Sequence, residues 1–95
     1  MLPAVSPDGT KVAFASTRGN NSGHWDIWIV DVANGASRRL TFDPHDDCGP
    51  LWSPDGKEIA FFSNRRGVRE IYRKRADGSG DEELLLPSRD LDFSP

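Results

Sequence analysis

The sequence has one cysteine, no long apolar run and little net charge, and each shortage excludes a class of function. Cys48 alone cannot form an internal disulfide or supply a cysteine-rich zinc site. No run of about 18 apolar residues is present, so we expect no membrane span. The net charge of −3 lacks the basic excess typical of nucleic-acid binding. Residues Met1–Ala4 have no basic start and no apolar stretch, so we expect no signal peptide within this chain.

Catalytic motifs are also missing. A serine hydrolase of the α/β type needs a Gly-x-Ser-x-Gly elbow, and the sequence contains none. The cluster His45-Asp46-Asp47-Cys48 combines groups that transition metals bind. Its spacing, however, matches no established zinc pattern, and we interpret it as a solvated loop whose aspartates cap turns. We therefore predict a protein that is not an enzyme and holds no metal or cofactor.

What the sequence does contain is an internal repeat. Ser6-Pro7-Asp8-Gly9 recurs 47 residues later as Ser53-Pro54-Asp55-Gly56, and Phe93-Ser94-Pro95 begins a third copy. Between Ser6–Arg18 and Ser53–Arg65, 8 of 13 positions are identical. Periods of about 40–50 residues are typical of β-propeller blades.

Each repeat contains four short segments with the alternation of a β-strand, and no segment has the period and length of a helix. The predicted strands are Pro3–Ser6, Lys11–Ser16, Trp25–Asp31 and Ser37–Thr41, then Pro50–Ser53, Glu58–Ser63, Glu70–Arg75 and Glu82–Leu86. The predicted fold class is all-β, with two four-stranded antiparallel propeller blades. We assign residues 1–48 to the first blade, 49–90 to the second, and 91–95 to the start of a third.

Both repeats resemble the blade signature of TolB-like, WD-repeat-like β-propellers, over Val5–Arg18 and Pro50–Arg65. Asp26-Ile27-Trp28 and Glu70-Ile71-Tyr72 are similar to the acidic-Ile-aromatic third strand of that family. The resemblance implies a bacterial, non-enzymatic scaffold that binds a protein partner, and a periplasmic location like that of TolB. One departure is Arg73-Lys74-Arg75, where the family continues the strand with apolar residues, so we expect unusual packing there.

Two further hypotheses concern the context of these blades. Similar blades form the gating propellers of prolyl-oligopeptidase-type serine peptidases, so the alternative function is an accessory propeller whose catalytic domain lies outside this chain. In addition, two blades leave apolar faces unpaired, because each blade of a propeller packs against two neighbours. We therefore expect either self-association, for example three chains making about six blades, or a place within a longer covalent ring.

Six basic residues fall between Arg65 and Arg75, and such a patch would suit phosphate or an acidic partner. Glu82 and Glu83 follow on the next predicted strand, where cross-strand pairing can neutralise the positive charge of the patch. We predict that these basic side chains form structural ion pairs.

The last prediction is a binding face. In an antiparallel meander, alternate connections emerge at the same end of the sheet. The short turns Ser6–Gly9, Asn34-Gly35 and Asp77-Gly78 share one end, which we call the hairpin rim, and Thr17–His24 and Phe42–Gly49 share the other, the loop rim. Each of the latter two loops carries a three-residue insertion, as a recognition surface would, although drift in loop length explains it equally well. The contact candidates are Asn20, Asn21, His24, Trp25, His45, Asp46 and Asp47, with Trp25 as the anchor.

Overall fold

The computed structural model describes residues 3–18, 23–42 and 44–90, which form two antiparallel sheets and one short 3-10 turn at Ser88–Asp90. The strands are β1 Ala4–Val5, β2 Lys11–Ser16, β3 Asp26–Asp31, β4 Ser37–Arg39, β5 Asp47–Trp52, β6 Glu58–Ser63, β7 Glu70–Arg75 and β8 Glu83–Leu86. Each sheet is a four-stranded meander, β1 to β4 in blade 1 and β5 to β8 in blade 2. The predicted fold class is therefore confirmed. The expected start of a third blade, residues 91–95, lies outside the described residues.

The turn that opens each repeat has the predicted geometry. In blade 1 the amide of Gly9 donates to the carbonyl oxygen of Ser6 at 2.9 Å, and Gly9 has a φ of +74°. In blade 2 the amide of Gly56 donates to Ser53 at the same distance, again with a φ of +74°. A left-handed residue after a type I turn closes a tight hairpin, and glycine adopts that conformation without steric cost.

Strand β5 is longer than the sequence predicts. It begins at Asp47, three residues before the predicted start at Pro50, and so crosses the blade boundary that we placed between residues 48 and 49. Its register shifts between Cys48 and Leu51, and Gly49 within that bulge has a φ of +63°. Asp47 and Cys48, which we expected in the connecting loop, instead pair with strand β6.

The core lies between the two blades. Blade 1 contributes one side of its sheet, where Ala13, Ile27 and Ile29 are buried. Blade 2 contributes buried Ile59 and Phe61 to the same cluster, and the remaining members are Leu40, Trp52, Tyr72 and Ala76. Fully burying a side chain of the size of Ile or Phe stabilises a fold by about 1.5–3 kcal/mol, so burial in this cluster stabilises the contact between the blades. Within the described ranges, no helix is long and apolar enough to cross a membrane.

Candidate functional site

A buried carboxylate stands at the start of the third strand of blade 1. Asp26 has no exposed surface, and its oxygens accept hydrogen bonds from the guanidinium of Arg39 and, at 3.2 Å, from the hydroxyl of Thr41. The Nε2 of His24 lies 3.2 Å from the same carboxylate. Thr41 in turn accepts a bond of 2.9 Å from the amide of Ile27. These bonds hold the chain leaving β4 against the chain entering β3.

Blade 2 repeats this arrangement with different donors. Glu70 is buried at the equivalent position and pairs with the Nε of Arg66 at 2.9 Å. It also accepts a bond of 3.0 Å from the backbone amide of Ser88, beyond the end of β8. The acid of each acidic-Ile-aromatic triplet therefore anchors the segment that leaves its blade. The triplets identify these two acids in the sequence, but the donors Arg39, Thr41 and Ser88 lie 13 to 18 residues away and no local pattern identifies them.

The loop rim is joined by hydrogen bonds between loops that are far apart in the sequence. The amide of Trp25 donates to the carboxylate of Asp46 at 2.8 Å, and the amide of Asp47 donates to the carbonyl oxygen of Trp25 at 2.8 Å. The amide of Asp46 donates to the side-chain oxygen of Asn64 at 2.9 Å, which links the loop of blade 2 to the same network. The loop between β2 and β3 and the connection between blades therefore share one rim, as predicted.

The structure brings together some of the predicted contact residues and separates others. Trp25 is 39% exposed, His45 is exposed, and His24 and Asp46 are half-buried beside them. Asp47 is fully buried, so it lies beneath the rim and not on its surface. Asn20 and Asn21 lie outside the described residues. Sequence analysis missed Asn64, because its link to Asp46 depends on the packing of one blade against the next.

The basic segment of blade 2 forms ion pairs, as predicted. The guanidinium of Arg65 pairs with Glu82 and lies 3.4 Å from the carboxylate of Asp47. Lys74, one of the residues that depart from the family pattern, lies 3.9 Å from Glu82. Its ammonium also donates to the carbonyl oxygen of Leu40 in blade 1 at 2.9 Å. The unusual packing expected here is thus a polar link between the blades.

A groove of about 850 Å³ lies at the opposite end of the molecule, on the hairpin rim. Both blades line it, and charged side chains including Asp8, Lys11, Arg38 and Lys57 make up much of its wall. Arg38 crosses from blade 1 to donate to the carbonyl oxygen of Ala76. Small-molecule pockets are usually lined mostly by apolar side chains with a few polar groups, whereas most of the residues that line this groove are charged.

The three aspartates that line the groove accept hydrogen bonds within their own turns. The hydroxyl of Ser6 and the amide and hydroxyl of Thr10 donate to Asp8 and lower its pKa to about 2. Hydrogen bonds from Ser53 likewise lower the pKa of Asp55, and those from Ser79 lower that of Asp77. We therefore interpret the groove as the structural junction of the hairpin turns. Across the described part of the chain, no three His, Cys, Asp or Glu side chains are grouped to hold a metal ion.

Comparison with known proteins agrees with this architecture. The family model of the TolB beta propeller domain matches residues 1–88. Two solved structures superpose well on the chain. A protein of Agrobacterium tumefaciens assigned to TolB has a TM-score of 0.79 and 34% identity, with 93% of this chain and 31% of that chain covered. TolB of Acinetobacter baumannii has a TM-score of 0.76 and 31% identity, with 90% and 21% covered.

Similar sequences point to the same family. The Tol-Pal system protein TolB of Anaeromyxobacter dehalogenans is 46% identical over 95 residues, which is 100% of this chain and 21% of that protein. An uncharacterized protein of Agrobacterium fabrum is 38% identical over 79 residues, which is 83% of this chain and 26% of that protein. The chain thus spans less than a third of the length of these relatives. It belongs to the TolB β-propeller family.

Proposed function

We propose that this TolB-like propeller segment is a non-enzymatic scaffold, and that its loop rim docks a protein partner with Trp25 as the anchor. The observation that carries the proposal is the bonding of Trp25. Both its amide and its carbonyl oxygen are held by the connection between the blades, while its side chain is 39% exposed. The ring is therefore presented from a fixed backbone.

A fixed backbone favours binding because less conformational entropy is lost when the partner docks. Exposed tryptophans are enriched among the residues that dominate interface energetics. We include His24, His45 and Asp46 as polar contacts for the partner, together with Asn20 and Asn21, which precede them in the sequence. Asp47 supports the anchor from beneath the rim, because its backbone amide donates a hydrogen bond to the carbonyl oxygen of Trp25 and its carboxylate lies 3.4 Å from Arg65.

The family membership supports a protein as the partner. One relative carries the name Tol-Pal system protein TolB, and we extend to this chain a role within a protein assembly and a periplasmic location. No observation on the described residues favours the alternative of a gating propeller for a peptidase. We therefore propose a binding role alone.

The experiment is site-specific photo-crosslinking in cells, followed by affinity measurement. A photoreactive residue at His45, on the loop rim, should capture a partner that the same residue at Asn34, on the hairpin rim, does not. With the captured protein purified, calorimetry then compares Trp25→Ala and Asp46→Ala with Asn34→Ala and Asp77→Ala. We expect Trp25→Ala to weaken binding by at least about tenfold, with little effect from either hairpin-rim variant. Equal losses from both rims, or a loss from the hairpin rim alone, would contradict the proposal.

A further inference from the structure

The last strand of each blade has one open edge. Among the described residues, β4 and β8 each have a hydrogen-bonded neighbour on one side alone, because they stand at the end of the strand order in their sheets. An edge strand presents backbone amides and carbonyl oxygens that can pair with another chain. The blades of a propeller are arranged around a central channel and pack through the faces of their sheets, so a neighbouring blade does not cover such an edge.

The two edge strands differ in how well they are protected against pairing. β4 is three residues long and contains Arg38 and Arg39, and natural edge strands commonly use shortness and charge to discourage pairing. In β8, by contrast, Glu83 is followed by Leu84–Leu86, and these three leucines are between 38% and 42% exposed. Single exposed leucines are ordinary, but three in succession give an open edge an apolar surface.

The neighbouring blade leaves these leucines exposed. Leu84 is the cross-strand partner of Tyr72, which belongs to the core between the blades. Cross-strand partners lie on the same side of a sheet, so Leu84 is on the side that faces blade 1 and is still 38% exposed. Leu85 has no cross-strand partner, because the register shifts between Ile71 and Tyr72. Packing of one blade on the next therefore does not account for this edge.

The residues that precede the leucines give the edge a charge. Asp81 and Glu83 are exposed, while Glu82 is half-buried and pairs with Arg65. Glu83 lies 3.9 Å from Arg73, and a pair at this distance between largely exposed side chains contributes little. The start of β8 therefore attracts basic groups. Because the chain has a net charge of −3, the same carboxylates favour a basic partner over a second copy.

We propose that the open edge of β8 binds an extended segment of another protein, which joins the sheet of blade 2 as an additional strand. In this mode of recognition, backbone hydrogen bonds supply affinity and alternate side chains supply specificity. Apolar side chains of the segment pack on Leu84–Leu86. The sheet is antiparallel throughout and antiparallel pairing is slightly the more stable, so the C-terminal end of the segment lies at the start of β8. Basic residues at that end then contact Asp81 and Glu83. The surface contains none of the loop-rim residues, so the proposal is independent of the role of Trp25.

The test uses a short peptide of alternating threonine and valine that ends in two lysines and is blocked at both termini. It is titrated into the isotope-labelled 95-residue chain and followed by NMR. We expect the amide signals of β8 to shift and those of β4 to stay unchanged. Hydrogen exchange of at least one β8 amide should slow by at least about tenfold, because pairing protects it from solvent. The same peptide with methylated backbone amides cannot donate hydrogen bonds, and it should bind at least about tenfold more weakly.

Variants of the chain then separate apolar contact from charge. Leu85→Ser changes a residue without a cross-strand partner and should weaken binding by about three- to tenfold. Leu51→Ser is the matched control, since it makes the same change at a leucine that is 68% exposed on β5, and binding should not change. Glu83→Lys should weaken binding of the lysine peptide and strengthen binding of a counterpart that ends in two glutamates. Circular dichroism checks that each variant is folded, and Asp81→Lys replaces Glu83→Lys if that variant is not.

Four results would overturn the proposal. These are the absence of binding by the lysine peptide, equal binding of the methylated peptide, signal shifts that centre on β4 or on the loop rim, and equal losses from Leu85→Ser and Leu51→Ser. Analytical ultracentrifugation of the chain alone provides a further check. Dimerisation that Leu85→Ser abolishes would identify a second copy as the occupant of the edge, and it would overturn the proposal as well.

Discussion

The indole Nε1 of Trp52 donates a hydrogen bond of 2.8 Å to the carbonyl oxygen of Ala4, which joins the first strands of the two blades. Trp52 belongs to the core between the blades, so this bond forms at the edge of the main apolar contact. The polar link and the apolar contact therefore fix the same relative position of the blades.

Replacing Trp52 with Phe keeps an aromatic ring but removes the donor. Because the carbonyl oxygen of Ala4 then loses its partner at a half-buried site, we expect the free energy of unfolding to fall by about 1–3 kcal/mol. Urea denaturation followed by circular dichroism measures this change. Leu51→Ala, at the neighbouring exposed position, is the control and should change the free energy by less than about 0.5 kcal/mol. A result in which the two variants are equal would show that the bond contributes nothing.

The buried acid of blade 1 gives a second prediction. Asp26→Asn leaves the guanidinium of Arg39 beside a neutral amide, and removing one partner of a buried ion pair typically costs about 3–5 kcal/mol. Since Arg39 is not wholly buried, we expect a loss near the lower end, about 3 kcal/mol. Glu83→Gln makes the same chemical change at a side chain that is 67% exposed, and we expect less than about 0.5 kcal/mol there. Similar losses in both variants would contradict an anchoring role for Asp26.

The bulge of β5 gives a third prediction. A Cβ atom added at Gly49 would lie 3.0 Å from the ring of Phe62, and the residue has a φ of +63°. Gly35 has a φ of +71°, but an added Cβ there meets no atom within 4 Å. Gly35→Ala should cost about 1–2 kcal/mol from the backbone conformation alone, and Gly49→Ala should cost measurably more because the ring must also move. Chemical denaturation of the two variants side by side makes this comparison, and equal costs would argue against crowding at Phe62.

The sequence predicted the features of the fold that depend on local chemistry. The repeated Ser-Pro-Asp-Gly turns and the alternation along β2 indicated two equal meanders, and both are confirmed. The start of β5 was predicted wrongly, because Gly49-Pro50 is as typical of a loop as of a bulge. Only the pairing of Asp47 with Ser63 distinguishes the two. The partners of Asp26 and Asp46 were also beyond prediction, since they are set by how distant loops and the two blades come together.

The turn carboxylate of blade 1 gives a prediction about pH. Hydrogen bonds from Ser6 and Thr10 lower the pKa of Asp8 from 3.8 to about 2. A carboxyl whose pKa is lowered on folding stabilises the folded state above its unfolded pKa, and this contribution disappears as the pH falls from about 3.8 through about 2. Carbon-13 NMR of the folded protein should show the Asp8 carboxyl titrating with a midpoint of about 2. Thr10→Val removes one hydroxyl donor and should raise the pKa of Asp8, whereas an unchanged titration would show that this hydroxyl has no part in the shift.

The last prediction concerns how firmly the loop rim holds Trp25. The amide of Trp25 donates to the carboxylate of Asp46, and a hydrogen bond to a charged acceptor contributes about 1.5–3 kcal/mol. Asp46→Ala should therefore increase the hydrogen-exchange rate of the Trp25 amide by at least about tenfold. Local opening of the rim exposes this amide to solvent, and in the variant that opening no longer requires the hydrogen bond to break. Asp77→Ala removes the acceptor of the Ser79 amide on the hairpin rim, and it should accelerate exchange at Ser79 without affecting Trp25. If the Trp25 amide exchanges at the same rate with and without the Asp46 carboxylate, the ring is not presented from a fixed backbone. The entropic advantage that we assign to the loop rim would then have no structural basis, even if a partner were found to bind there.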